Sequence, residues 1–293
     1  MTLATLVRDR AGRDPDRVAL REKHRGIWRE ITWARYWQTA RAVALGLRAL
    51  GVGPGDRVAI RSQNRPEWLY AAVAAAALGA TVADDGAKVL VAEGQEQVDD
   101  ALAAPGGLLR IVYLDKAGVW NKYDSGLLLS FGELLEVGRG AEGEMEPPDA
   151  AGDPATPIGG PRDLLVSRLP LGEPAGAVAA WANAANGAVL HFGAPEDLRE
   201  VQPTILLAGP EDWTGLHAGI EARVAGASRL KRANARLWLH RERGSALGWL
   251  LCHRALRERI GLRHLRHAGS AGPVPPEVRR FFQGIGVTIE DAT

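Results

Sequence analysis

Few side chains in this chain of 293 residues stand at spacings that would let them do chemistry unaided. The tightest histidine pair is His264-x-x-His267. The local pattern reads as a strand, on which positions three apart point to opposite faces. No cysteine or carboxylate stands nearby at ligand spacing, so no metal residue is assigned. Gly51-Val-Gly-Pro-Gly55 has the glycine density of a phosphate loop. It follows a helical pattern and precedes a strand, the reverse of the dinucleotide-binding order. There is no Gly-x-Ser-x-Gly elbow and no Ser/His/Asp set that can be ordered, so a hydrolase reading finds no support and no catalytic residue is assigned. The arginine-rich stretch Arg229 to Arg243 has the charge of a phosphate-binding patch, but on a helix this composition reads as a solvated face. Trp28, Trp33, Trp37 and Trp68 read as core and hairpin packing.

Those candidates have to be held by a chain of ordinary globular composition. It is 46% hydrophobic and 24% charged, with 36 basic and 35 acidic residues, so the net charge of +1 points to neither nucleic acid nor an acidic surface as partner. Lysine occurs only at Lys23, Lys88, Lys116, Lys122 and Lys231, a scarcity that matters wherever phosphate charge must be neutralised. The lone Cys252 suits a reducing compartment. The first ten residues lack an apolar stretch of signal-peptide length, and Leu69 to Ala80 is too short to span a bilayer. The expectation is a cytoplasmic protein without a transmembrane segment, peripheral to a membrane at most.

The elements read as α/β. A short helix leads into a hairpin, Arg17 to Arg21 with Ile27 to Ile31. Apolar residues from Trp33 to Leu50 recur at helical spacing behind Thr32 as N-cap. Strands are expected at 56–60, 87–92 and 109–114, with helices at 64–79, 95–103 and 130–137. Ser130 and Glu133 have capping-box spacing. Beyond a Gly, Pro and acid-rich stretch, strands are expected at 164–169, 188–192, 204–207, 262–268 and 287–289. Helices are expected around 175–183, at 211–224, across 231–260 and at 276–283. Such alternation argues for parallel sheets flanked by helices. Residues 1–140 form a first αβ subdomain, 141–162 a linker and 163–293 a second αβ subdomain; no internal repeat is visible in the sequence.

Several phrases, in order, resemble the bacterial long-chain acyl-CoA synthetases of the AMP-binding, adenylate-forming superfamily. They are Asp14-Pro-Asp-Arg-Val-Ala-Leu, Gly26-Ile-Trp-Arg-Glu-Ile-Thr-Trp, Gly51-Val-Gly-Pro-Gly-Asp-Arg-Val-Ala-Ile and Asn64-Arg-Pro-Glu-Trp. Later come Leu198-Arg-Glu-Val-Gln-Pro-Thr-Ile-Leu, Leu256-Arg-Glu-Arg-Ile-Gly-Leu and Pro276-Glu-Val-Arg-Arg-Phe-Phe. The resemblance implies an incomplete N-terminal domain of the acyl-CoA synthetase fold. It also implies a ligase that joins a fatty acid to ATP as an acyl adenylate, with Mg²⁺, and passes the acyl group to CoA. Ala268-Gly-Ser-Ala-Gly-Pro-Val-Pro-Pro-Glu277 is similar to the family's adenine-binding turn. This makes Gly269, Ser270, Ala271, Gly272 and Pro273 the candidate nucleotide-binding residues; read without the resemblance, they form a tight strand-to-helix turn.

The same resemblance marks what is missing. The family's phosphate loop, Y-T-S-G-T-T-G-x-P-K-G, has no counterpart, because the chain passes from Gly152-Asp-Pro-Ala-Thr-Pro-Ile158 directly to a later phrase. Gly159-Gly160 lacks a following lysine and reads as a flexible joint. A βα unit is expected to be missing after Ala80-Thr-Val-Ala83. Glu173 stands where the family places a histidine, and Pro210-Glu-Asp-Trp213 carries acid where the family carries base. The chain ends before the family's Y-G-x-T-E phrase, and the small C-terminal domain is absent. The expectation is a chain inactive in isolation, or else a non-catalytic remnant binding a nucleotide, an acyl group, a complementary chain or itself.

Overall fold

The computed structural model describes residues 1–119, 122–123, 126–141, 143, 145–148, 158–226 and 254–291. The chain divides into two units, Met1–Thr156 and Pro157–Thr293.

The first unit begins with α1 (Leu3–Arg13), whose N-terminus is closed by reciprocal bonds between Thr2 and Thr5. The hairpin follows as antiparallel β1 (Val18–His24) and β2 (Ile27–Thr32), turning on Arg25-Gly26. Thr32 caps α2 (Trp33–Ala49), accepting the Arg35 N–H at 3.3 Å. Next come β3 (Arg57–Arg61), α3 (Pro66–Ala77), β4 (Thr81–Val82), β5 (Val89–Ala92), α4 (Gln95–Ala103), β6 (Arg110–Tyr113), β7 (Leu128–Ser130) and α5 (Phe131–Gly140). Strands β3 to β7 form a parallel sheet in the order β4-β3-β5-β6-β7. Period-two alternation divides its faces. Leu90, Ala92, Ile111 and Tyr113 pack with Val98 and Ala101 of α4, while Val89, Val91 and Val112 are buried on the other side. Helices α2 and α5 approach closely because Gly138 has no side chain; a Cβ there would lie 1.8 Å from the Ala42 carbonyl oxygen.

The second unit contains β8 (Leu164–Ser167), α6 (Pro174–Trp181), β9 (Val189–Phe192), α7 (Leu198–Val201), β10 (Ile205–Ala208), α8 (Pro210–Ala225), α9 (Arg254–Ile260), β11 (His267–Ser270), α10 (Pro276–Gly284) and β12 (Ile289–Asp291). These five strands are parallel and run in the order β12-β11-β10-β8-β9. Leu206, Ala208, Ala268 and Ile289 pack against Trp213 and Ile220 of α8 and Val278, Phe281 and Phe282 of α10. At the opposite end of the strands, Asp163 joins three of them. It accepts hydrogen bonds from Thr204 Oγ1 at 2.6 Å, from the Gly160 N–H at 2.9 Å and from the Arg266 guanidinium.

Both sheets therefore follow one plan: the second strand lies beside the first, and the third, fourth and fifth extend on the first strand's other side. This is the doubly wound order of flavodoxin-like sheets. The repeat is topological, which is why no periodicity marks it in the sequence.

Several elements differ from the sequence reading. The strand expected at 262–268 is His267–Ser270, because Leu262 and Leu265 bury at helical rather than alternating spacing in the turn before it. His264 and His267 are both exposed, and only His267 is on a strand. The last strand begins at Ile289 rather than Val287, whose N–H is taken by the Phe282 carbonyl at the end of α10. The helix expected around 175–183 ends at Trp181 and passes into a wider turn, Ala182–Asn186, fixed by Asn183 Nδ2 donating to the Ala188 carbonyl at 2.8 Å. At Gly159-Gly160 the chain turns: Gly159 has φ +84°, and a Cβ on it would lie 2.6 Å from Ile205 Cδ1. Of the helix expected across 231–260, residues 231–253 lie outside the described residues, as does the arginine-rich stretch.

Candidate functional site

In a doubly wound sheet, ligands bind outside the carboxyl ends of the strands, where neighbouring connections diverge. That point falls between β8 and β10 in the second unit and between β3 and β5 in the first.

In the second unit, β8 ends at Ser167-Arg168, β10 at Ala208-Gly209 and β11 at Ser270. The five residues read as nucleotide-binding occupy the end of β11 and the turn into α10. Gly269 and Ser270 are buried, Gly272 is half-buried, and Ala271 and Pro273 are exposed. The Ser270 hydroxyl donates to the Gly272 carbonyl at 2.8 Å, and the Ala271 N–H donates to the Ala208 carbonyl at 3.2 Å. A Cβ on Gly272 would lie 3.3 Å from Pro210 Cγ. The turn thus packs against the start of α8, and its outer surface is backbone with small side chains. Such a surface lets a flat ring approach closely.

Three residues that the sequence did not single out as binding groups stand beside this turn, and one of them, Trp213, bonds it. Asp212, in the first turn of α8, accepts the Gly209 N–H at 3.1 Å and pairs with Arg168 Nε at 2.5 Å. Trp213 is fully buried, donates from Nε1 to the Gly269 carbonyl at 3.3 Å and meets Phe282 edge-to-face with centroids 5.1 Å apart. The acid in Pro210-Glu-Asp-Trp213 is therefore a helix cap and an ion-pair partner; the readable signal was an aspartate at the third position after Gly209. Glu173, expected beside an acyl carboxylate, precedes α6 as an exposed residue whose side chain caps nothing. A cleft of about 490 Å³ runs from Arg168 and Asp212 along α8 to Arg223, lined by three arginines and three carboxylates.

The corresponding point in the first unit is filled by charge. Arg65 lies 2.8 Å from Glu67, 3.8 Å from Glu93 and 3.6 Å from Asp115, and Glu93 also accepts the Gln63 N–H at 2.7 Å. Burial alone would lower the Arg65 pKa, but these three carboxylates raise it above its ordinary value. The crevice of this sheet is occupied by its own side chains.

Among the described residues no three His, Cys, Asp or Glu side chains converge as a metal-ligand set. The Mg²⁺ implied by the resemblance finds no such set among the described residues. The lysines of the described residues are all in the first unit, so the described residues of the second unit offer no lysine for phosphates. No helix of the described residues is long and apolar enough to cross a membrane.

The fold is that of the N-terminal domains of adenylate-forming enzymes. The adenylation and carrier-protein didomain of carboxylic acid reductase from Segniliparus rugosus, solved with AMP, superposes with TM-score 0.75 at 19% identity. The match covers 99% of this chain and 52% of that one. The N-terminal domain of FACL13 from Mycobacterium tuberculosis gives TM-score 0.64 at 15% identity, over 100% of this chain and 76% of that one. Residues 7–101 match the family model "AMP-binding enzyme".

The relatives in sequence include proteins described as long-chain fatty acid CoA ligases, in line with the resemblance that the phrases carry. FadD15 of Mycobacterium tuberculosis, a long-chain-fatty-acid–CoA ligase, is 41% identical over 78 residues, 27% of this chain and 13% of its own length. Human ACSBG1, of the same description, is 25% identical over 291 residues, covering 76% of this chain and 40% of its own. The chain thus spans less than half the length of these curated relatives.

Proposed function

We propose that this chain is the nucleotide-facing N-terminal portion of a long-chain fatty acid CoA ligase, in which the turn Gly269 to Pro273 receives the adenine ring of ATP or AMP. The observation that carries this is the small-residue surface of that turn, held by the Trp213 bond to Gly269 and packed on Pro210 at the end of β11, one strand from the divergence point between β8 and β10. In the complete reaction a fatty acid would be adenylated from ATP and transferred to CoA. The isolated chain is expected not to complete the first step: the described residues of the second unit offer no lysine for the phosphates, and Arg168 is committed to Asp212.

The missing βα unit has its own support. Parallel β4 and β5 lie on opposite sides of β3, yet only Ala83 to Lys88 joins them. Parallel crossovers ordinarily take a dozen or more residues and carry a helix. Here Asp84 and Asp85 of the short connection pair with Arg61 and Arg57 on β3.

The test is a nucleotide titration beside ATP–pyrophosphate exchange with palmitate and Mg²⁺. The reading expects AMP or ATP binding without exchange above background. Exchange would show that another group serves the phosphates, and absence of nucleotide binding would remove the reading.

A further inference from the structure

The hairpin of the first unit carries chemistry that a nucleotide site does not use. Its two-residue turn has Arg25 at φ +48° and Gly26 at φ +80°, the all-positive geometry of a type I′ turn. Asn, Asp or Gly bears the first of these positions with least strain, yet an arginine stands there. The next residue, Ile27, is 69% exposed, the most exposed large hydrophobic side chain of the described residues. Trp28 follows, facing Lys23 across the hairpin, with the Arg21 and Lys23 cations each 5.6 Å from its ring centroid. Arg29 pairs with Glu22 across the strands, and Glu30 pairs with Arg21 at 3.3 Å. Within Arg21–Arg29 four cations stand against the single carboxylate of Glu22, in a chain whose overall charge is +1.

We propose that the tip of this hairpin, Lys23 to Arg29, docks on an anionic phospholipid surface, with Ile27 and Trp28 at headgroup depth and Lys23, Arg25 and Arg29 among the phosphates. An exposed aliphatic side chain next to tryptophan, collared by long cations, matches an interface that is apolar below and anionic above. Nucleic acid fits less well, since it offers Ile27 no apolar partner. The binding is electrostatic at long range and apolar at contact, so it needs both parts of the tip. It does not depend on the nucleotide reading.

Co-sedimentation of the full chain with phosphatidylcholine vesicles, with and without phosphatidylserine, tests this. The chain should sediment with the anionic vesicles and be released as salt rises. Replacing Lys23, Arg25 and Arg29 by glutamine should weaken binding about fivefold per residue, the equivalent of about 1 kcal/mol each. Ile27→Ser, at an exposed position where folding is undisturbed, should weaken it at unchanged charge. Equal binding to both kinds of vesicle, or anionic binding that survives both variants, would overturn the proposal. So would binding to an oligonucleotide that is lost in the triple variant while vesicle binding persists.

Discussion

The two sheets share one strand order and differ in what they place at its divergence point. In the second unit β8 and β10 end there in Arg168 and Gly209, Arg168 and Asp212 neutralise each other, and the neighbouring β11 ends in the run Gly269 to Gly272. In the first unit Arg65 and three carboxylates fill the same position. Topology makes a crevice in both, and side chains decide which one has room for a ligand. The crossovers differ as well: residues 193–204 carry α7 in the second unit, while residues 83–88 carry no helix in the first. The short connection of the first sheet carries no helix, and two of its aspartates meet two arginines of β3.

The comparison can be broken most sharply by blocking the second crevice. Gly272→Trp would force a ring against Pro210 and over the turn, and it should lower nucleotide affinity at least tenfold in a calorimetric titration. Trp213→Ala should remove the bond to Gly269 and leave a cavity beside Phe282, costing about 3 to 5 kcal/mol in a denaturant melt. Arg65→Met in the first unit should cost about 1 to 3 kcal/mol by leaving its carboxylates without their cation, and should leave nucleotide affinity unchanged. If Arg65→Met instead abolished nucleotide binding, the assignment of the two crevices would be reversed.

The smallest effect is one of pH. Burial, then the neighbouring Glu67, raises the Glu22 carboxyl above its ordinary pKa. A raised folded-state pKa means that the folded chain holds this proton where the unfolded chain has released it. Stability therefore falls as pH rises from the unfolded value of about 4.3 through the folded one. Glu22→Gln should be slightly more stable than the parent at pH 7, and the difference should vanish below about pH 4, where the carboxyl is protonated in both states. Thermal melts across that range check it.

Periodicity carried much of the fold. Thr32 and Ser130 announced their helices by capping chemistry, and α4 is found at Gln95–Ala103, as the pattern expects. The short elements β7 and α7 were not legible, because three or four residues hold no period and their pairing is decided by distant strands. Leu262 and Leu265 imitated a strand because two buried leucines in a turn look like half of an alternation. At the site, the turn Gly269 to Pro273 was readable from its small residues and from resemblance. Its supports were not, since Arg168 and Asp212 are 44 positions apart and only the fold brings them to 2.5 Å.

The central claim is that nucleotide binds at the second unit's crevice and not at the first's, and hydrogen exchange of the full chain with and without AMP reads it directly. The account predicts slowed exchange confined to residues 208–213 and 269–274. Protection appearing instead at residues 61–66 and 93–95 would contradict it.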